Sequence, residues 1–405
     1  MALRNAVESD SRVLAARSIF QSRMVEAEGA WSAYLPVLRG VSSVGNSQNR
    51  DPLIRDGDKR TYGLELEQPI PLFGRESARV ELARVAVRVE ESEVRRVEQA
   101  VVGEVLEAML GIATAREALA LRERLAANLR LQVGAVRATV AGGGMKATEE
   151  RLILSRAAQS AALHARAEAD LAAAEARLRR LLPDATPASL NEHDMRRWWS
   201  GPLSREALEA SALQVAPVLL KAQAEAEQAS AEYAVARADL WPKVSISVQK
   251  TMGTFGTASA EAHSIFLGVS VPLFEGGATI SRVDSAAHRQ TAARERATQE
   301  GRMTIQRIAE TWARWRAAEA MSLAWRESEL QEEEAIMLVE QQVTGGGATE
   351  VGLLRARQAW LEIVVQGVDY RSQRDVAWVR LMQEAGALEL TPVSPDGHDF
   401  DRHNK

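Results

Sequence analysis

Two long tracts of this chain, Ser77 to Ala141 and Thr279 to Thr344, carry no proline and place apolar residues at helical steps. In the first, Val94, Val97, Val101, Val105, Leu106 and Met109 recur every three or four positions; in the second, Ile305, Ile308, Trp312 and Trp315 sit at heptad spacing. That is the narrow stripe of a helix packed lengthwise on neighbours. As single helices, each rod would be roughly 100 Å long, where globular helices average about 11–12 residues. Both tracts end on glycines: Gly142, Gly143 and Gly144 after the first, and Gly345, Gly346 and Gly347 after the second. Proline interrupts helix interiors, and all twelve prolines fall outside the two tracts, so the remaining segments hold turns, strands, linkers and shorter helices.

Elsewhere the period changes to two. Tyr62, Leu64, Leu66 and Ile70 alternate with Gly63, Glu65, Glu67 and Pro69, predicting a strand with one apolar and one polar face. Val244, Ile246 and Val248 alternate with Ser245, Ser247 and Gln249, and Ile265, Leu267, Val269 and Val271 oppose Gly268 and Ser270. A more ragged strand carries Val37, Val41 and Val44. Residues 2–33, 147–182, 203–239 and 348–385 read as further helices, with loops over 46–59 and 253–262.

These elements form one unit written twice. Leu14 to Pro36 maps onto Leu220 to Pro242, Pro71-Leu72-Phe73 onto Pro272-Leu273-Phe274, and Ala147-Thr148-Glu149 onto Ala348-Thr349-Glu350. The expected organisation is a first repeat over 1–182, with strands at about 36–46 and 61–72 and its long helix at about 77–141. A linker element with Trp198-Trp199 follows over 183–202. The second repeat spans 203–386, with strands at about 243–252 and 263–274 and its long helix at about 279–344, and residues 387–405 form a tail. Only ten residues precede Ser11, the counterpart of Pro217, so a leader is expected upstream of Met1.

Composition narrows the function. The chain has 405 residues, 46% hydrophobic and 26% charged, enough for a large core and unlike a disordered chain. Net charge is −5 with both signs interleaved, which excludes a nucleic-acid footprint. There is no cysteine, so disulfides, thiolate metal sites and cysteine nucleophiles are excluded. The six histidines show no zinc-site spacing; His398 and His403 could hold a metal weakly, or simply belong to a solvated tail. No catalytic constellation emerges, and no cofactor is expected.

Four strands of about ten residues match the span of a membrane strand. Apolar against small or polar alternation fits lipid on one face and a wet lumen on the other, with Val244, Ile246, Val248, Leu267 and Val269 towards lipid. Tyr34, Trp241, Phe73 and Phe274 bracket the strands as an interfacial aromatic belt would. A soluble sandwich with half-buried strands is the alternative. In lipid, four strands leave two open edges, so several copies would have to close one barrel. The glycine triplets read as helix reversals, since glycine takes positive φ readily; a phosphate cradle lacks the strand and Lys-Ser/Thr context it needs. Glu149, Glu150 and Glu350 follow the triplets. They either complement helix N-termini or, in an assembly, ring a mouth.

Leu66-Glu-Gln-Pro-Ile-Pro-Leu-Phe-Gly74 followed by a long Arg/Ala/Glu helix resembles the TolC-type outer membrane efflux proteins. So do Val269-Ser-Val-Pro-Leu-Phe-Glu-Gly-Gly277 and Gly347-Ala-Thr-Glu-Val-Gly-Leu-Leu-Arg-Ala356. The resemblance covers nearly the whole chain in the family's duplicated order. It implies a mostly α fold with membrane β: a homotrimer with a twelve-stranded outer-membrane barrel, continued by an α-helical coiled-coil tunnel through the periplasm. It implies a passive export conduit whose glycine-turn tips dock on a periplasmic adaptor and an inner-membrane RND pump. The turn ending at Arg75 is most similar to the CzcC-like branch, which implies heavy-metal cations as cargo; drugs, other small molecules or type I secretion remain as alternatives. A soluble coiled-coil scaffold is the competing reading of another class, and it has no use for the alternating strands.

Overall fold

The computed structural model describes residues 2–47, 57–182, 204–255 and 258–388. In chain order the elements are helices α1 (Ala2–Ser9) and α2 (Ser11–Ala30), a short 3-10 turn at Trp31–Tyr34, strands β1 (Val37–Ser47) and β2 (Gly57–Pro69), and helices α3 (Arg75–Ala141) and α4 (Ala147–Leu181). There follow α5 (Arg205–Val215), α6 (Pro217–Ala238), β3 (Lys243–Phe255), β4 (Ala258–Ser270), α7 (Ala278–Thr344) and α8 (Glu350–Glu384). The long helices α3 and α7 have 67 residues each, and α4 and α8 have 35 each. The segment 183–202 with its Trp198-Trp199 pair, the histidines His193, His398 and His403, and nearly all of the tail lie outside the described residues.

Three sequence expectations need correction. The helix expected over 2–33 is two helices that break at Asp10, whose carboxylate accepts the Arg12 backbone N–H at 2.8 Å and caps α2. The helix expected over 203–239 breaks at Ala216, because Pro217 drives its predecessor out of helical geometry and itself begins α6. The strands reach farther into the hairpin loops than alternation suggested. β2 starts at Gly57 and stops at Pro69, short of residue 72; β3 runs to Phe255; β4 starts at Ala258 and stops at Ser270, short of residue 274. Apart from Phe255 the added residues are polar or small, so periodicity is silent about them. They are carried by an antiparallel register that continues to Phe255 opposite Ala258.

The compact units are not the sequence repeats. One consists of Met1–Leu14, Arg95–Ala216 and Arg302–Lys405, the other of Ala15–Val94 and Pro217–Gly301, so each draws on both repeats.

The first unit is helical throughout its described residues. Leu121, Leu125, Leu129 and Val136 of α3 pack with Ile153 of α4 and with Val351, Leu361, Val365 and Val368 of α8. The α3 stripe is buried at Val101, Val105, Leu106 and Met109; of the α7 stripe, Ile308 and Trp315 are buried while Ile305 is exposed. Trp315 stacks obliquely on Trp312 and Trp378, at 5.1 and 5.3 Å between ring centroids. Gln132 is fully buried, and its amide reaches Asn128 Oδ1, the Leu354 carbonyl and Gln358 Oε1 at 2.8, 2.9 and 3.0 Å.

The second unit holds one antiparallel sheet in the order β1-β2-β3-β4, with β1 and β4 as its edges. Its helical part packs on small residues, among them Ala224, Ala231, Ala238 and Ala286, with Val80, Val85 and Val89 of α3. Small side chains let long helices approach closely along their length.

Candidate functional site

The sheet is built by its register. Val244 faces Val269 across β3 and β4, Ile246 faces Leu267, and Val248 faces Ile265. Val248 also pairs with Leu66, which pairs with Leu38. Directly opposed residues share a face, so these eight side chains and Leu64 form one apolar surface. On the other face lie Arg39, Glu65, Glu67, Ser245, Ser247 and Gln249, joined by an Arg39–Glu67 ion pair at 2.8 Å and a Gln249–Glu65 hydrogen bond at 3.0 Å. Leu38, Ile265, Leu267 and Val269 are all more than 60% exposed, so the apolar surface is uncovered within one protomer. Towards the hairpin ends the same face turns polar at Lys250, Glu261 and His263.

At the helix end of this sheet the chain makes an aromatic cluster. Phe73 stacks on Trp241 with centroids 5.8 Å apart and planes 7° apart, and Trp31 meets Tyr34 at 5.5 Å. With the start of α3 and the end of α6 these rings wall a cavity of about 580 Å³. Arg75, at the head of α3, is buried and pairs with Asp239 at 3.0 Å, which fixes the helix start against the β3 entry. Three of the four bracketing aromatics are thus brought together. Phe274 is not among them: it and Leu273 stand about 90% exposed, beside the edge strand β4. Trp31, Arg84 and Arg237 are not singled out by the sequence, because none belongs to the alternating pattern, and Arg75 enters it only as the end of the turn after β2. The extra Trp31 just before Tyr34 was the available signal.

In the helical unit both glycine triplets make the same turn. Gly143 and Gly346 take φ of +75° and +79°. Gly144 N–H bonds the Thr139 carbonyl at 2.9 Å and Gly347 N–H bonds the Gln342 carbonyl at 2.8 Å, the paired bonds that close a helix on a left-handed residue. Gly142 and Gly345 still bond back to helix carbonyls four residues earlier. The carboxylates beyond the turns differ in their surroundings. Glu149 accepts from Arg355 at 2.8 Å, Glu150 accepts from Arg137 at 2.9 Å, and Glu350 is an exposed residue opening α8. Thr349 caps α8 by accepting the Gly352 N–H at 3.1 Å.

At the N-terminal end of the same unit, Arg12 bridges Asp10 and Glu104 at 3.0 and 2.7 Å. The guanidinium holds both carboxyls below their ordinary values. Among the described residues no cluster of histidine and carboxylate side chains could hold a metal ion, and no helix is long and apolar enough to cross a membrane.

The family model "Outer membrane efflux protein" matches residues 2–183 and 208–387. The chain is 25% identical over 385 residues to the outer membrane efflux protein BepC of Brucella suis biovar 1, spanning 91% of this chain and 82% of that one. Solved structures share the fold. A CusC structure superposes with a TM-score of 0.81 at 17% identity, covering 95% of this chain and 91% of that one. The outer membrane protein VceC from Vibrio cholerae gives 0.79 at 17% identity, covering 95% of each. A duplicated, mostly helical chain with a small sheet that is apolar on one face, matched along both repeats, belongs to the outer membrane efflux protein family.

Proposed function

We propose that three copies of this chain close a single twelve-stranded barrel in the outer membrane and form the exit duct of a tripartite efflux system. One observation carries the reading: a four-stranded sheet with two open edges and an uncovered apolar face. Unpaired strand edges are prohibitive in hydrocarbon, so β4 of one copy pairs with β1 of the next until the ring closes. The exposed Leu273 and Phe274 beside β4 support the same seam.

In this reading Val244, Ile246, Val248, Leu267 and Val269 meet lipid, while the Ser245/Ser247/Gln249 face lines a wet lumen. The two glycine turns are the periplasmic tips, docking on an adaptor that connects the duct to an inner-membrane RND pump. Glu149, Glu150 and Glu350 sit near the mouth, and heavy-metal cations are the cargo. The similarity of the Pro69–Arg75 turn to the metal-exporter branch supports that cargo, as does the carboxylate content of the turns.

Two measurements test it. Mass measurement of the detergent-extracted protein should give a trimer; monomer alone would overturn the assembly. Deletion and complementation in the native host should shift tolerance to divalent metal ions. A shift confined to organic toxicants would reassign the cargo and leave the duct intact.

A further inference from the structure

We infer that the cavity at the helix end of the sheet binds the phosphate headgroup of an anionic membrane lipid. Its wall carries the rings of Trp31, Tyr34, Phe73 and Trp241 together with two arginines, Arg84 and Arg237. Each guanidinium lies against an aromatic face: Arg84 sits 5.4 Å from the Trp31 ring centre, and Arg237 sits 5.8 Å from that of Tyr233. Neither makes an ion pair with a described residue, whereas the arginines around them do. Arg75 is held by Asp239 at 3.0 Å, Arg88 by Glu227 at 2.9 Å and Arg23 by Glu26 at 2.7 Å. Stacking orients a guanidinium while leaving its N–H groups free for a phosphate.

The remaining walls favour the same occupant. Gly74, Ser77 and Ala78 belong to the start of α3, so the positive end of a 67-residue helix adds to the two cations. The one carboxylate on the wall is Glu81, and it lies 3.6 Å from Arg88. Aromatic rings with one wet and one apolar side suit the level where headgroup gives way to acyl chain. The apolar strand face opens within four residues of the cluster, at Leu38 after Tyr34 and at Val244 after Trp241. Acyl chains would run along that face while the phosphate stays between the arginines.

The inference rests on the reading that the sheet lies in the membrane, and its test separates the two. Full-length protein is incorporated into vesicles of phosphatidylglycerol or of phosphatidylcholine, extracted in mild detergent and weighed intact with its retained lipid. Phosphatidylglycerol should be retained over phosphatidylcholine by roughly tenfold, as expected for two basic side chains at an anionic surface. Arg84→Gln with Arg237→Gln should abolish the preference, and Glu81→Gln, which removes a repelling charge and spares every ring, should raise it. Equal retention of both lipids by the unaltered protein, or no rise with Glu81→Gln, overturns the inference. Displacement of the lipid by millimolar inorganic phosphate would make this a free-phosphate site and overturn the lipid assignment. Entry into neither vesicle would fail the membrane reading itself.

Discussion

Arg355 donates a 2.8 Å hydrogen bond to Glu149, tying the second turn of α8 to the first turn of α4 across 206 residues of sequence. Both side chains are nearly half exposed, so the pair contributes about 0–1 kcal/mol. Its larger effect is on charge. Glu149 is neutralised by Arg355 and Glu150 by Arg137, which leaves Glu350 as the carboxylate of the glycine turns with its field intact. Glu350→Gln should therefore lower the cation preference of single-channel current more than Glu149→Gln does. Equal effects from the two would remove the argument from local pairing. Unchanged selectivity with lower thermal stability would assign all three residues to the helix ends.

The Asp10–Arg12–Glu104 bridge should make stability depend on pH in the acid range. Both carboxyls titrate lower in the folded protein, with Arg12 hydrogen bonds as the largest cause. Their contribution is full above the ordinary carboxylate values of about 3.9 and 4.3 and is lost as pH falls through the depressed ones. Glu104→Gln should lower the melting temperature modestly at pH 7 and leave it unchanged near pH 2. A deficit persisting in acid would mean that packing, and not charge, is what the substitution removes.

Gly386 ends α8 with φ of +73°, and a Cβ there would stand 3.0 Å from the Val215 and Ala216 backbone. Its carbonyl also accepts the buried Gln99 amide at 2.9 Å. Gly386→Ala should cost about 1–2 kcal/mol from the left-handed conformation alone, with the close contact adding to it. Gly143→Ala, which meets nothing within 4 Å, should cost the conformational part only. Equilibrium unfolding of the two variants gives the difference; equal costs would show that the Val215–Ala216 backbone yields.

On the sheet, Ile246→Arg should cost about 2–4 kcal/mol at the bilayer midplane, and Ser247→Arg much less. The two positions adjoin in sequence and lie on opposite faces. Matching losses in refolding into vesicles would reverse the assignment of faces.

The long helices, the glycine turns and the faces of β2, β3 and β4 could be read from the sequence because each leaves a local periodic mark; in β1 the expected Val37 and Val41 lie opposite Glu67 and Gly63, on the face of Arg39, and Leu38 carries the apolar side. Proline-free length, a triplet of glycines and period-two alternation need no knowledge of partners. What could not be read depends on distant pairings. Ala258 to Ala262 carry no large apolar side chain, and they are strand because Thr251 to Phe255 lie opposite them. The break at Asp10 turns on one carboxylate capping the next helix, in a stretch whose composition continues as helix. Phe73 and Phe274 occupy equivalent positions in the two repeats, yet one stacks on Trp241 while the other projects from the protomer. Duplication predicts equal positions, and the pairing of β2 with β3, which has no counterpart at β4, decides the difference. Gln132 gave no signal, since two of its contacts lie 222 and 226 residues downstream.

The way each compact unit draws on both repeats also sets the order in which this protein can come into being. The helical unit seats Val351, Leu361, Val365 and Val368 of the last helix against α3, and α8 ends at Gly386 beside Ala216. Its core therefore cannot close until nearly the whole chain has been synthesised. The sheet likewise waits for β3 before β2 has its second neighbour. Contacts of such sequence separation fold slowly, and the emerging first half is an incomplete shell with its apolar stripe unpaired. A chain built this way stays open while it is being made and becomes rigid only once its final helix arrives.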